Sequence, residues 1–174
     1  DFVMLLNNDT IADPKMIENL FFYLPQDAAL ASPAIFYYDD HDVLCSLGGD
    51  FHPVLLSVLE IKKAALQLPG SVTRFEFLPS HAWLIKSEVF EQVGFLDEIF
   101  FPIYYDDLDF CLRLKKKDLP IYLIPQAKIF HRESMSVGGR NSPRERYLMA
   151  RNSGYYFRKH MKLWQAPFIF IFRI

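Results

Sequence analysis

The chain opens with a continuous apolar run, Phe2 to Leu6, that stops at the polar triplet Asn7-Asn8-Asp9. An unbroken apolar run bounded by turn residues is typical of a strand covered on both faces, so we predict a buried parallel strand with a polar loop at its carboxyl end. Asp13-Pro14 then supplies an N-cap and a first helical residue, and apolar residues recur at helical spacing from Met16 to Leu24. The pattern predicts a strand, a loop and a helix in succession.

Short strands and one short helix are predicted in the middle of the chain. Residues 28–38 are a strand candidate, and residues 43–59, around Gly48-Gly49, have the pattern of a hairpin. Strands at 75–78 and 82–86 flank Pro79-Ser80-His81, and a helix at 87–93 is closed by Gly94. This order of elements predicts a mixed α/β domain.

The segment 104–114 carries acids at its start and apolar residues on one face, which predicts a helix. Asp106 and Asp107 fall in its first turn, where the helix dipole favours ionised carboxylates, and Asp109 is spaced to pair with Arg113. Adjacent helical residues diverge by about 100°, so Asp106 and Asp107 cannot face each other as the carboxyls of a glycosidase do.

The remaining pattern predicts two short strands and a long helix. The strands cover 120–124 and 127–130, directly before His131, and a basic helix runs over 143–160. The 174 residues, 51% of them hydrophobic, suffice for one globular core and exclude disorder. Cys45 and Cys111 have no metal-ligand spacing and are expected to be buried thiols in a reducing, intracellular compartment.

Charge is distributed unevenly along the chain. Residues 140–174 hold eight of the 19 Lys and Arg but one of the 21 Asp and Glu. They end in an apolar run, Pro167 to Ile174, that is shorter than the about 20 residues needed to span a bilayer. We therefore predict a domain over 1–142 and a basic, aromatic helical arm over 143–174 that binds an anionic membrane surface. The acidic remainder argues against nucleic acid as a partner.

Four stretches occur in an order that is characteristic of one enzyme family. They are Leu5–Thr10, Trp83–Glu98, Asp106–Asp109 and Pro125–His131, the last followed by Ser134 and Ser136. They resemble four segments of the nucleotide-sugar glycosyltransferases of family 2. These segments are the metal-binding strand end with D-x-D or N-x-D, the strand, helix and G-F-D-E turn, the E-D-x-D helix start, and the P-x-A-x-x-x-H…S segment. Phe95-Leu96 replaces the usual Gly-Phe of the second. The chain resembles the bacterial rhamnosyltransferase-like members in particular.

This resemblance implies a GT-A-like fold, a Rossmann-like mixed sheet with flanking helices. The family's N-terminal nucleotide-binding part has no counterpart here, so we expect a partial catalytic domain cut from a longer protein. The implied activity is metal-dependent, inverting transfer of a sugar from a nucleotide-diphosphate sugar to a hydroxyl of a glycan or lipid-linked acceptor. The enzyme is expected in the cytoplasm, peripheral to the inner face of the membrane.

The resemblance also assigns the metal ligands and the catalytic base. Asp9 and His131 would bind Mn²⁺ or Mg²⁺, with Asn7 contributing to the donor site, and imidazole suits Mn²⁺ better. Asp107 would be the base that accepts the proton of the acceptor hydroxyl, with Asp106 as its helper. The alternatives are an Asx turn at Asp9, a structural histidine at His131 and simple helix capping by the two acids.

Further candidates concern the donor diphosphate and the acceptor. Arg140, Arg144 and Arg151 are candidates for the diphosphate, because guanidinium groups bind phosphate bidentately; the alternative is a solvated basic face. Trp83, His81 and Tyr105 are candidates for acceptor binding, although most of the 26 Phe and Tyr must lie in the core.

A second function remains open at this point, a non-catalytic glycan-binding or assembly module that keeps the GT-A fold. Asn7 in place of an aspartate favours that function, whereas Asp9, Asp107 and His131 favour the enzyme.

Overall fold

The computed structural model describes residues 1–60, 67–132 and 142–173. The strands in these residues are β1 (Phe2–Leu6), β2 (Thr10–Ala12), β3 (Leu30–Tyr37), β4 (Leu44–Ser46), β5 (Gly49–Phe51), β6 (Val58–Glu60), β7 (Thr73–Phe75), β8 (Ala82–Lys86) and β9 (Ile121–His131). The α-helices are α1 (Met16–Phe22), α2 (Glu88–Val93), α3 (Asp106–Lys116), α4 (Pro143–His160) and α5 (Ala166–Arg173). The predicted mixed α/β class is confirmed.

The main sheet has the order β1-β8-β3-β9-β2, with β4 beside β3 and β7 beside β9. Strands β3 and β9 are parallel, and the other pairs in this sheet are antiparallel. The register between β3 and β9 shifts after Pro33, because Pro33 is paired with Ile124 and the next residue, Ala34, is paired with Lys128. Since proline has no N–H to donate, Pro33 and Pro125 account for this interruption of the ladder. The predicted strands at 120–124 and 127–130 are therefore one long strand, β9.

Strand β1 differs from its prediction as a buried parallel strand. It is antiparallel to β8, with Leu6 opposite Ala82, and within the described residues β8 is its one strand neighbour. Phe2, Val3 and Leu6 are 38%, 38% and 46% exposed. The apolar run predicted the strand correctly but not its burial, because burial depends on neighbouring elements that the run itself does not specify.

Two smaller predictions also need correction. The expected hairpin over 43–59 is divided, because β4 joins β3 whereas β5 pairs with β6 in a separate two-stranded sheet. Gly48 lies so close to the segment after β7 that a Cβ there would stand 2.5 Å from the Phe77 carbonyl oxygen. Helix α1 begins at Met16 and not at Pro14, because the Asp13 carboxylate accepts a hydrogen bond from the Lys15 N–H and closes a turn before the helix.

Helix α4 packs onto the domain with one face. Its first turn is capped by Ser142, whose hydroxyl accepts a hydrogen bond from the Glu145 N–H. Leu148, Asn152, Tyr156 and His160 are buried at spacings of four residues. The helix of the predicted arm is thus docked on the domain, and the boundary at residue 142 stays a prediction.

A buried ionic cluster around Asp109 joins α3 to α4. Asp109 is fully buried, and its carboxylate lies 2.9 Å from Arg113, 2.8 Å from Lys159 and 2.7 Å from His160 Nε2. Burial alone would raise the pKa of Asp109, but hydrogen bonds from His160 and Lys159 outweigh it and lower the pKa to about 2. The expected pair between Asp109 and Arg113 is confirmed as one part of this cluster.

We expect Asp109→Asn to lower the free energy of unfolding at pH 7 by about 3 kcal/mol, because it leaves Arg113, Lys159 and His160 without their shared carboxylate. Since the carboxylate stabilises the fold above its unfolded pKa near 3.8, the difference from wild type should shrink as the pH falls from 4 to 2. Urea unfolding at several pH values measures this.

Asp97→Asn is the matched control, because it removes an exposed ion pair with the same Lys159 and should cost less than about 1 kcal/mol. An equal cost of the two substitutions at pH 7 would contradict a central role for Asp109.

Candidate functional site

A tight turn, Asn7 to Thr10, joins the opposite edges of the main sheet and presents Asp9. The Asn7 N–H donates a hydrogen bond of 3.0 Å to the carbonyl of His81, just before β8. The N–H of Arg132, just after β9, donates a hydrogen bond of 3.0 Å to the Asp9 carbonyl. Because Thr10 is opposite His131 in the β2–β9 ladder, Asp9 lies beside that histidine. Asp9 Oδ1 is 3.3 Å from His131 Nε2.

His81 packs directly against this pair. Its ring is edge-on to that of His131, with the two centroids 4.2 Å apart. Burial, with a smaller contribution from His131, lowers the pKa of His81 to about 4, so this imidazole is neutral at physiological pH. Asp9 Oδ1 and His81 Nδ1 are buried and make no hydrogen bond among the described residues, although Asp9 Oδ1 has His131 Nε2 as its ion-pair neighbour. Buried polar atoms without a hydrogen bond are compatible with a site that binds an ion or water.

A second acid, Asp107, lies in the first turn of α3. The backbone N–H of Ser80, the residue before His81, lies near the Asp107 carboxylate and favours its ionised form. The N–H of Leu108 donates a hydrogen bond of 2.8 Å to the same carboxylate. Ser80 and His81 therefore link the Asp107 carboxylate to the Asp9–His131 pair. Ser80 was not among the candidate residues predicted from the sequence. Its position in the Pro79-Ser80-His81 turn, directly before a buried strand, is the feature that could have indicated it.

The electrostatics of Asp107 differ from the sequence expectation. The helix dipole was expected to favour the ionised form of this acid at its ordinary pKa. Burial and the neighbouring Asp106 instead raise the pKa of Asp107 to about 7, and burial also raises the pKa of Asp106. A carboxyl poised near neutrality is suited to exchange a proton with a reacting hydroxyl.

Asp9 and His131 are suitable partial ligands for a divalent cation. The described residues contain no group of three His, Cys, Asp or Glu side chains arranged to hold a metal ion. Cations at phosphate-binding sites commonly use one or two protein ligands and complete their shell with substrate phosphate oxygens and water. Asp9 Oδ1, which makes no hydrogen bond, fits such a shared site, although ligand binding by the pair stays a prediction.

The sequence is similar to several known proteins, although no family model matches it. It is 35% identical over 165 residues to the dTDP-rhamnosyl transferase RfbF of Shigella flexneri, covering 91% of this chain and 54% of that protein. It is 32% identical over 69 residues to the low-salt glycan biosynthesis hexosyltransferase Agl10 of Haloferax volcanii, covering 40% of this chain and 22% of that protein. The chain thus spans about half of the first relative and less of the second.

The fold matches a solved structure, GalNAc-T7 with UDP, GalNAc and Mn²⁺. The TM-score is 0.63 over 90% of this chain and 31% of that chain, at 13% sequence identity, which establishes the shared fold. This chain has the GT-A fold of that structure, and its sequence is similar to that of glycosyltransferases. The expected fold and the resemblance to nucleotide-sugar glycosyltransferases are both confirmed.

The other candidate residues of the GT-A domain have varied positions. Trp83 is fully buried and stacks on Phe110, so the expectation that it stacks on an acceptor sugar is wrong, since no face of its ring is exposed. Tyr105, another candidate for acceptor binding, is buried against Tyr156, and its acceptor-binding role stays a prediction. His81, the third candidate, lies at the Asp9–His131 pair.

The donor candidates are likewise spread over the domain. Asn7 is exposed at the turn, and Arg144 is exposed in the first turn of α4. Arg151 donates hydrogen bonds to the Phe101 carbonyl and the Asn152 side chain, so its guanidinium is occupied by the protein itself. Arg140 lies outside the described residues. The donor-binding roles of these four residues stay predictions.

We expect the Asp107 carboxyl to titrate near pH 7 in carbon-detected NMR spectra of the protein labelled at aspartate side chains. Asp106→Asn should lower the pKa of Asp107, because it removes the negative neighbour that opposes ionisation. Asp97, whose pKa is lowered by its hydrogen bond from Lys159, is an internal reference in the same spectra. A wild-type Asp107 that titrates near pH 4 would refute the desolvated environment.

Proposed function

We propose that the chain is the acceptor-side part of a metal-dependent, inverting glycosyltransferase of family 2. The enzyme moves a sugar from a nucleotide-diphosphate sugar to a hydroxyl of a glycan or lipid-linked acceptor. The observation that carries this proposal is the convergence of Asp107 with the Asp9–His131 pair through Ser80 and His81. The name of the Shigella flexneri relative makes dTDP-rhamnose the first donor to test.

Asp107 acts as the general base in this proposal. Its carboxylate accepts the proton of the acceptor hydroxyl as that oxygen attacks the anomeric carbon. The bond between the anomeric carbon and the diphosphate oxygen breaks with its electron pair on the leaving nucleoside diphosphate, and attack from the opposite face inverts the configuration. A raised pKa makes the carboxylate a stronger base than an ordinary aspartate, provided that the pH is high enough to ionise it.

Asp9 and His131 hold the divalent cation in this proposal. When bound, such a cation supplies positive charge that stabilises the departing diphosphate. A carboxylate with an imidazole favours Mn²⁺ over Mg²⁺, because Mg²⁺ prefers oxygen ligands alone. The presence of Mn²⁺ with UDP in the GalNAc-T7 structure supports this choice.

A non-catalytic glycan-binding or assembly module is the second candidate function. It is favoured by Asn7, which stands where the family usually has a metal-binding aspartate, and whose side chain is neutral. Such a module would bind glycan without turning over a donor, and its aspartates would serve the fold alone.

We expect Asp107→Asn, in the full-length protein, to lower kcat for sugar transfer about 10²- to 10⁴-fold and to leave donor binding nearly unchanged. Asp9→Asn should weaken Mn²⁺ and donor binding together, because it removes a ligand of the proposed cation. Steady-state transfer from dTDP-rhamnose and calorimetric titration with Mn²⁺ and donor separate the two effects.

Asp97→Asn is the control in this series, since Asp97 is an exposed acid away from these contacts. Near-normal turnover of Asp107→Asn with loss in Asp106→Asn would move the base by one residue. Full activity of both would overturn the proposed role of α3, and glycan binding without any donor turnover by wild type would favour the second candidate.

We further propose that the C-terminal surface attaches the enzyme to the cytoplasmic face of a membrane. This surface consists of exposed apolar side chains around α5, namely Leu163, Trp164, Phe168, Phe170, Ile171 and Phe172. Arg158 and Lys162 are exposed nearby in the chain and provide positive charge toward anionic lipid. No helix in the described residues has the length and apolar character needed to cross a bilayer.

We expect the protein to bind vesicles that contain phosphatidylserine, with an affinity that falls as salt rises. The double substitution Arg158→Glu and Lys162→Glu should weaken binding about tenfold or more, because each cation near such a surface contributes about 1 kcal/mol. Vesicle sedimentation measures the partition. Lys117→Glu, which alters an exposed cation directly after α3, should have a smaller effect. Binding that is insensitive to lipid charge and salt would contradict the electrostatic part.

A further inference from the structure

Asn152 is fully buried in the middle of α4 and binds a loop of distant sequence. Its side-chain Nδ2 lies 2.9 Å from each of three carbonyl oxygens to which it donates, those of Phe100, Ile103 and Tyr104. Its Oδ1 accepts a hydrogen bond of 2.9 Å from Arg151 Nε. The amide has two N–H groups, so one of them is shared between two of the three carbonyls, and both polar atoms of the side chain have partners.

The loop held by Asn152 has a costly backbone conformation. Tyr104 and Tyr105 have φ angles of 76° and 73°, a left-handed region that bulky side chains rarely adopt. Such a conformation persists when surrounding contacts enforce it, and it is common at functional sites. Tyr105 directly precedes Asp106 and Asp107, so these two angles set the direction in which α3 starts and where its acids point.

We propose that Asn152 is a positioning residue for Asp107, fixing the strained Tyr104-Tyr105 turn so that the carboxylate is held against the Ser80 N–H. The proposal rests on the proposed function, in which Asp107 is the base. It assigns to α4 a task in the active site, although Asn152 itself touches neither the acids nor the predicted cation ligands in the described contacts.

A purely structural role for Asn152 predicts something different. In that case its loss would lower stability, as the loss of any buried hydrogen bond does, without a specific effect on Asp107. Tyr156, one helical turn further on α4, provides the comparison, because its hydroxyl donates a buried hydrogen bond of 3.0 Å to the Leu56 carbonyl. Its ring packs against Tyr105, and Tyr156→Phe keeps that packing while it removes the hydroxyl alone.

The test compares Asn152→Ala with Tyr156→Phe by two readouts. The first is NMR titration of the Asp107 carboxyl, whose electrostatic neighbours include Asp106 and Cys111 on α3. Asn152→Ala should lower the pKa of Asp107 by at least about one unit toward its ordinary value, because a released turn admits water. The second is turnover of dTDP-rhamnose by the full-length protein, where kcat should fall about tenfold or more with donor KM within about twofold.

Tyr156→Phe should lower the melting temperature and leave the titration of Asp107 and kcat unchanged. A wild-type titration in Asn152→Ala, or an equal shift in Tyr156→Phe, would overturn the proposal. If Asn152→Ala does not fold, Asn152→Ser keeps one donor and replaces it in the comparison. If Asp107→Asn retains turnover, the proposed base is wrong, yet the titration still decides whether Asn152 positions Asp107.

Discussion

The parallel pairing of β3 with β9 is the constraint on which the rest of the domain depends. Strand β9 pairs with β3, β2 and β7, so its register fixes the positions of all three. That register also places His131 opposite both Thr10 and Tyr37. The histidine that meets Asp9 is therefore located by the central ladder of the sheet and not by a local loop, which gives the predicted cation site a rigid base.

The acids of α3 divide stability and chemistry between neighbouring turns. Asp109 is surrounded by cations that lower its pKa, so its ionised form stabilises the contact between α3 and α4. Asp107 is half-buried beside another acid. Desolvation and the neighbouring Asp106 raise its pKa from 3.8 to about 7, so the fold loses stability as the pH rises through that range. Such a cost is expected where a carboxyl is kept for proton transfer.

Helix α4 connects these two features. His160 and Lys159 near its end bind Asp109, and Asn152 in its middle binds the turn before Asp106. Both contacts act on α3, one through its interior and one through its start. The helix that was predicted as part of a separate basic arm is therefore integral to the geometry of the candidate site.

The sequence by itself determined the class of the fold, most of the helices and strands, and the family that the chain resembles. Periodicity and turn residues are local properties, so they identified α2, α3 and α4 closely and placed Asp9, Asp107 and His131 at element ends. The cover of β1, the joining of β9 across Pro125 and the burial of Trp83 needed tertiary structure, because each depends on a neighbour distant in sequence. The tertiary structure also decided the raised pKa of Asp107 and the contacts of Asn152. Desolvation and hydrogen bonding to distant carbonyls arise only when α3, α4 and the Ser80-His81 turn pack together.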